Sequence, residues 1–163
     1  MLVTVFMPYP LIKLLEPPQL DGAVALFEAQ LREHGILTSV NDLRTVAQAV
    51  VSEPRYGFIL VAYLGDGSPV GVAYASCLLS LEHGGTSGWL EELYVLPQWR
   101  GRGIGSSLIE EVVARAKKLG WRAIDLEVDT DHSRAISLYG RYHFKPHFRS
   151  RFYRSIHGES STQ

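Results

Sequence analysis

Six residues past the middle of the chain leave the fewest options for its fold. Positions 100–105 read Arg-Gly-Arg-Gly-Ile-Gly, too glycine-rich for a regular element. An apolar run at 89–96 precedes them and stops at Pro97. An amphipathic segment follows. It carries Leu108, Ile109, Val112, Val113 and Ala116 at helical spacing, with Glu110, Glu111, Arg115, Lys117 and Lys118 elsewhere and Gly120 to cap it. The order is strand, glycine turn, helix. A helix N-terminus exposes unpaired N–H groups and a partial positive charge, and glycines let an anion approach without a Cβ in the way. The place suits a pyrophosphate. Arg100 and Arg102 add forked cationic donors.

Two phosphate-binding turns can be compared with this one. A dinucleotide-binding turn needs Gly-x-Gly-x-x-Gly. Here Gly101, Gly103 and Gly105 alternate and position 106 is Ser, although an acid at the appropriate distance is present in Asp125. A P-loop needs Gly-Lys followed by Ser or Thr, which the segment lacks. A tight turn that serves helix packing and a cradle for acyl-coenzyme A both stay open.

The rest of the chain supplies the frame. The residues from 1 to 15 read as a starting strand. Asp21 is expected to cap a helix with Val24, Phe27 and Leu31 on one face and Gly35 as its stop. Ser39, with Asp42 three residues on, starts a second helix along Leu43, Val46, Ala47 and Val50, which Pro54 ends. Residues 57–64 and 70–79 form strands joined at Gly65-Asp66-Gly67, a hairpin signal. Glycines 84, 85 and 88 mark a loop. A strand is expected at 123–128, and a helix from Ser133 with Ala135, Leu138, Tyr139 and Tyr142 on one face. Residues 144–156 read as an edge strand or hairpin broken at Pro146. The expectation is one α/β domain over residues 1–157, a mixed, mostly antiparallel sheet flanked by helices, with a frayed tail at 158–163.

Composition narrows the function. The chain has 163 residues, 46% hydrophobic and 20% charged, enough for a real core. A net charge of −1 argues against a nucleic-acid partner. The sum hides a split: residues 1–95 hold 4 basic and 10 acidic residues, and residues 96–163 hold 12 and 7. The lone Cys77 excludes an internal disulfide and fits a reducing, cytoplasmic setting. It reads as a small strand residue rather than a nucleophile. The six histidines show no metal-ligand spacing, so no metal is expected. The apolar N-terminus lacks a basic leader and is broken by Pro8 and Pro10, which excludes a membrane span or export signal from the expectation.

The stretch Leu93-Tyr94-Val95-Leu96-Pro97-Gln98-Trp99-Arg100-Gly101-Arg102-Gly103-Ile104-Gly105 resembles the central motif of the GNAT superfamily of N-acetyltransferases. That pattern, Arg/Gln-x-x-Gly-x-Gly/Ala, is matched by Arg100, Gly103 and Gly105. Ala135-Ile136-Ser137-Leu138-Tyr139 is similar to the family's second motif, and the matches span roughly residues 56–144. The resemblance implies acetyl-CoA as cosubstrate. Backbone amides of Arg100, Gly101, Arg102, Gly103, Ile104, Gly105 and Ser106 would hold its pyrophosphate. Leu93, Tyr94 and Val95 would present the strand on which its pantetheine arm lies, the backbone groups of Leu93 and Val95 pairing with it and an N–H near Val95 holding the oxyanion. His132 stands where the family often has Asn, and His143 where Gly is common. Tyr139 would be the acid that protonates the leaving thiolate. Packing alone also accounts for Tyr139, which shares the apolar face of its helix.

Acetyl transfer requires a neutral amine, and a carboxylate can take its proton. The segment around Glu91 and Glu92 resembles that of polyamine and some aminoglycoside acetyltransferases, in which the first acid sits at the amine. This implies Glu91 as base, with Glu92 as alternative or substrate anchor. Strand alternation points the two to opposite faces. The expected activity is transfer of acetyl to a primary amine of a small cationic molecule in a ternary complex. A non-catalytic acyl-CoA-binding module and an acetyltransferase of protein N-termini or lysines are the alternatives. A C-terminal strand would invite a homodimer.

Overall fold

The computed structural model describes residues 10–156. The strand expected at 1–15 is only partly within this range. It appears as β1 (Leu11–Leu14). A 3-10 turn at Pro17–Gln19 leads into α1 (Leu20–Glu33). The helix thus begins just before Asp21, which lies in its first turn and pairs with Arg44 instead of capping. Gly35 stops α1 at φ 71°. In α2 (Val40–Ser52) the Ser39 hydroxyl accepts the Asp42 N–H at 3.1 Å, the expected cap. Ala47 and Val50 are buried, but Val46 is 53% exposed and lies off the stripe.

Four antiparallel strands follow one another across the sheet in the order β1, β2 (Gly57–Tyr63), β3 (Pro69–Ser80), β4 (Gly85–Val95). Then α3 (Ile104–Lys118) crosses over, and β5 (Ile124–Leu126) joins β4 in parallel. α4 (Ser133–Arg141) comes last, tied to α3 by the Tyr142 hydroxyl donating to Glu110 at 2.6 Å. The mixed, mostly antiparallel sheet is as expected. One face packs on α1 and α2 through Val24, Phe27, Ile59, Val61, Val72 and Tyr94. The other packs on α3 through Leu60, Ala73, Leu90, Leu108, Ile109 and Val112. Burial of these two apolar layers is the main term holding the sheet between its helices.

Two expectations change. Gly85 and Gly88 belong to β4 rather than to a loop. Gly88 is glycine because the Trp121 ring lies against its Cα: a Cβ there would come within 2.2 Å of the ring. Residues 144–156 form no strand among the described residues. Pro146 cannot donate to a ladder. Arg149 and Arg151 instead tie the segment down sideways, to Glu82 at 2.8 Å and to Glu127. Phe148, Phe152, Tyr153 and Ile156 remain exposed. The tail expected at 158–163 lies outside the described residues. Among the described residues no helix is long and apolar enough to cross a membrane.

Candidate active site

The site follows from where β4 and β5 stop pairing. Their parallel register covers only Gly88↔Ile124, Trp89↔Asp125 and Leu90↔Leu126. Beyond it the strands part, and β4 continues for five more residues with β3 alone. A groove of ≈ 830 Å³ occupies the opening, within the size range of small-molecule sites.

At the parting point β4 carries a bulge. Tyr74 pairs with Glu92 and Ala75 with Leu90, so Glu91 is the extra residue. Its consequences can be checked on both sides. Leu90 and Leu93 pack toward the same α3-side core although three residues apart, which simple alternation forbids. Gly88 N–H donates to Ala123 on the β5 edge, whereas Leu96 N–H donates to Val70 on the opposite side. Counting back by twos from Leu96, Tyr94 and Glu92 address β3, so the backbone groups of Leu93 and Val95 face the β5 edge, into the opening.

The bulge also corrects the expected directions of the two acids. Glu92 alternates with Tyr94 and shares its α1-side face. Glu91 accepts the Ser76 hydroxyl at 2.9 Å, on the face that carries Tyr74. Both carboxylates therefore lie on one face. Glu91 is exposed and Glu92 half-buried. Burial, reinforced by the neighbouring Glu91 charge, pushes the Glu92 carboxyl up to about 7. Tyr139, half-buried on α4 with its ring edge-on to Phe144 at 5.8 Å, is pushed up to about 12 by burial and then by the Glu92 charge. Glu92 and Tyr139 thus face the same opening from β4 and from α4.

The glycine turn forms the other end of the groove. Gly101 and Gly103 adopt φ 78° and 84°, the left-handed region that glycine permits. The first bond of α3 runs from Ser107 N–H to the Gly103 carbonyl, so the N–H groups of Ile104, Gly105 and Ser106 precede the helical ladder. Arg134 lies over Gly101, its guanidinium 3.1 Å from where a Cβ would sit. A diphosphate fits this set: small residues, open amides and a guanidinium on one wall.

Most of the expected residues line the groove: Glu91, Glu92, Leu93, Val95, Arg100, Gly101, Gly103, Ile104, Gly105, Ser106, His132 and Tyr139. Two do not. Tyr94 points to the other face, where its hydroxyl donates to Glu33 at 2.7 Å. Arg102 is outside the wall, with its guanidinium 4.8 Å from the centre of the Trp99 ring. Arg100 contributes backbone more than charge, since its guanidinium is held by Glu33 at 2.8 Å and by the Val95 carbonyl at 2.8 Å.

Sequence reasoning passed over Arg134 and Gln30, both in the groove wall. Arg134 could have been found as a cation in the first turn of the helix after His132. Gln30 could have been found as the one polar residue on the buried stripe of α1, three residues after Phe27. The charge split did not survive folding. Asp21, Glu33 and Glu82 all pair with arginines, the last two with arginines of the basic half, and from the acidic half only Glu91 and Glu92 bring carboxylates to the groove. Cys77 sits in β3, where burial pushes its thiol up, away from nucleophilic chemistry. Among the described residues no cluster of His, Cys, Asp and Glu could hold a metal.

The model of the acetyltransferase (GNAT) family matches residues 23–144. The chain belongs to the GNAT acetyltransferase family. An uncharacterized N-acetyltransferase of Schizosaccharomyces pombe is 30% identical over 132 residues, covering 79% of this chain and 78% of that one. An uncharacterized N-acetyltransferase of Methanocaldococcus jannaschii is 35% identical over 82 residues; the match spans 49% of this chain and 36% of that longer protein. Among solved structures, the aminoglycoside N-acetyltransferase AAC(6')-Iy in complex with CoA superposes with a TM-score of 0.79 at 20% identity, covering 95% of this chain and 99% of that one. The GNAT fold is thus common to both, and the groove lies where β4 and β5 of this chain diverge.

Proposed function

We propose that this GNAT chain transfers acetyl from acetyl-CoA to a primary amine of a small cationic molecule. The observation that carries the reading is the opening between β4 and β5, with Glu92 and Tyr139 on its walls and the glycine turn at one end. The amides of Ile104, Gly105 and Ser106 and the Arg134 guanidinium would hold the diphosphate. Leu93 and Val95 offer the backbone edge along which the pantetheine arm would lie as an added strand.

The resemblance favours Glu91 as base; the geometry favours Glu92. A carboxyl near 7 can accept the amine proton at neutral pH and remains in reach of Tyr139. Glu91, exposed and oriented by Ser76, supplies charge to the incoming ammonium. The amine nitrogen, once neutral, attacks the thioester carbonyl, an N–H near Val95 holds the oxyanion, the C–S bond breaks, the Tyr139 hydroxyl protonates the thiolate, and the proton left in excess on the acetylated nitrogen passes to the Tyr139 oxygen as the amide forms. We assign the chain to the cytoplasm on its single, half-buried Cys77. A homodimer would use the exposed Phe148 and Phe152, and light scattering of the purified protein tests it.

A thiol-release assay with acetyl-CoA over polyamines, aminoglycosides, amino acids and peptide N-termini tests the activity. Small cationic amines should be turned over, and Tyr139→Phe should lower kcat by about 10–100-fold. No thiol release with any acceptor, together with an inert Tyr139→Phe, sinks the reading in favour of a non-catalytic acyl-CoA-binding module. A clear preference for peptides would replace the substrate class with protein N-termini or lysines.

A further inference from the structure

Residues 144–156 reach the groove through the side chain of Arg151. Its guanidinium lies over the half-buried Trp89, 5.4 Å from the ring centre, and pairs with Glu127, just past β5. The Glu91 carboxylate adds to the negative field at the same guanidinium. Trp89 stands opposite Ser76 of β3, and the Ser76 hydroxyl donates to Glu91, so ring and carboxylate share one face of the sheet. An aromatic face flanked by carboxylates is a cation site. Here the chain itself supplies the cation.

The segment that carries Arg151 is lightly held. It forms no strand among the described residues. Phe148, Phe152, Tyr153 and Ile156 are exposed, so no burial of these side chains fastens it. Its ion pairs, Arg149 with Glu82 and Arg151 with Glu127, are exposed on both sides, and such pairs contribute little in water. A segment held this way opens at small cost while the core stays folded. Glu91, Glu92 and Glu127 line the groove together with Arg151, so withdrawing the guanidinium leaves that wall more negative.

We propose that residues 144–156 are a displaceable strap: Arg151 holds the acceptor's cation position in the amine-free protein, and an incoming ammonium takes Trp89 and the carboxylates over from it. The inference rests on the amine-acetylation reading. The acceptor then competes with a tethered cation that is always nearby. Its apparent affinity is lowered by the fraction of molecules in which the strap is closed. The cosubstrate is spared this competition, because the glycine turn lies at the other end of the groove.

Arg151→Ala removes the internal competitor. KM for the amine should fall about three- to tenfold, KM for acetyl-CoA should stay where it is, and the fall should shrink as salt rises. Arg151→Lys, which keeps a cation, should stay close to wild type. Chymotrypsin reads the strap without turnover, through Phe148, Phe152 and Tyr153, since cleavage follows the population of the open form. Butylammonium chloride should speed cleavage of the wild-type protein there by about threefold or more over sodium chloride at equal ionic strength. Arg151→Ala should be cut fast in both salts. An unchanged KM for the amine overturns the inference. A raised KM overturns it too, because it would make Arg151 a binding group for the acceptor. Equal cleavage of the wild-type protein in the two salts overturns it as well. If no amine is acetylated, cleavage separates the two ideas: release by butylammonium keeps the strap and removes the activity, and no release removes the strap.

Discussion

Glu33 at the end of α1 and Arg100 at the start of the glycine turn, 67 residues apart, are joined by two hydrogen bonds of 2.8 and 3.0 Å from one guanidinium nitrogen to both carboxylate oxygens. Tyr94 adds a third hydrogen bond, its hydroxyl donating to the same carboxylate. The end of α1, which lines the groove through Leu31 and His34, is thereby fastened to the loop proposed to hold the diphosphate.

Glu33→Gln should loosen that loop. The expected result is a three- to tenfold rise in KM for acetyl-CoA with kcat nearly unchanged. The pair is part-exposed, so global stability should fall by less than about 1 kcal/mol. Burial raises the Glu33 carboxyl, but the hydrogen bonds of Arg100 and Tyr94 and the Arg100 charge outweigh it and hold the group below the usual range. A depressed carboxyl contributes stability above its ordinary value and loses it as pH falls through the folded value. The stability difference between wild type and Glu33→Gln, measured by urea melts, should therefore be constant at neutral pH and close in acid.

The pH profile should carry the signature of Glu92. A base must be unprotonated, so kcat/KM should rise with pH through about 7. Tyr139, at about 12, stays protonated throughout the accessible range, so no matching fall in activity from this residue is expected by pH 9.5. Glu92→Gln should abolish the rise along with most activity. The same substitution should affect stability in the opposite sense. A carboxyl raised on folding contributes stability present below its unfolded value near 4.5 and lost as pH rises through about 7. At pH 8, Glu92→Gln should melt higher than wild type, by roughly 3 °C for each kcal/mol relieved. A lower melting point at pH 8 would mean that Glu92 is paired rather than poised.

Arg134→Ala removes the guanidinium over Gly101. KM for acetyl-CoA should rise about tenfold or more, with a weakened dependence on salt concentration. KM for the amine should hardly move. Desulfo-CoA or CoA titrated by calorimetry checks the binding step apart from turnover.

Gly88→Ala forces a Cβ into the Trp121 ring, which lies 5.3 Å from Phe58. Overpacking of this kind costs about 1–3 kcal/mol. Denaturant unfolding should show that loss, and Gly88→Ala combined with Trp121→Leu should recover part of it. Independent additivity of the two changes would show that the contact is not the cause.

The local signals carried much of this structure. Ser39 and Asp42 announced α2, Gly65-Asp66-Gly67 announced the β2–β3 hairpin, and the glycine turn announced the strand-to-helix junction with α3. Signals that depend on a partner strand did not carry. Nothing at Leu90-Glu91-Glu92 betrays a bulge, because the extra residue is defined only against Tyr74 and Ala75. Gly88 looked like a loop glycine because its reason, Trp121, lies 33 positions away. Residues 144–156 had the composition of an edge strand, but Arg149 and Arg151 found lateral partners in Glu82 and Glu127 that no periodicity reveals. Gln30 was legible in principle, as a polar residue on an apolar stripe.

The single extra residue at Glu91 makes β4 a strand in two phases. Gly88 and Leu93 address the same edge only because five steps separate them with one step out of count. Straightening the bulge with all its residues kept would turn Leu93 and Val95 toward β3 and bring the two carboxylates to opposite faces. Every residue of the segment could keep its chemistry and the groove would still lose its lining. Phase, more than identity, is the quantity this segment has to keep, and a homologue one residue shorter here would keep that phase with a regular strand but could not bring two adjacent carboxylates to one face.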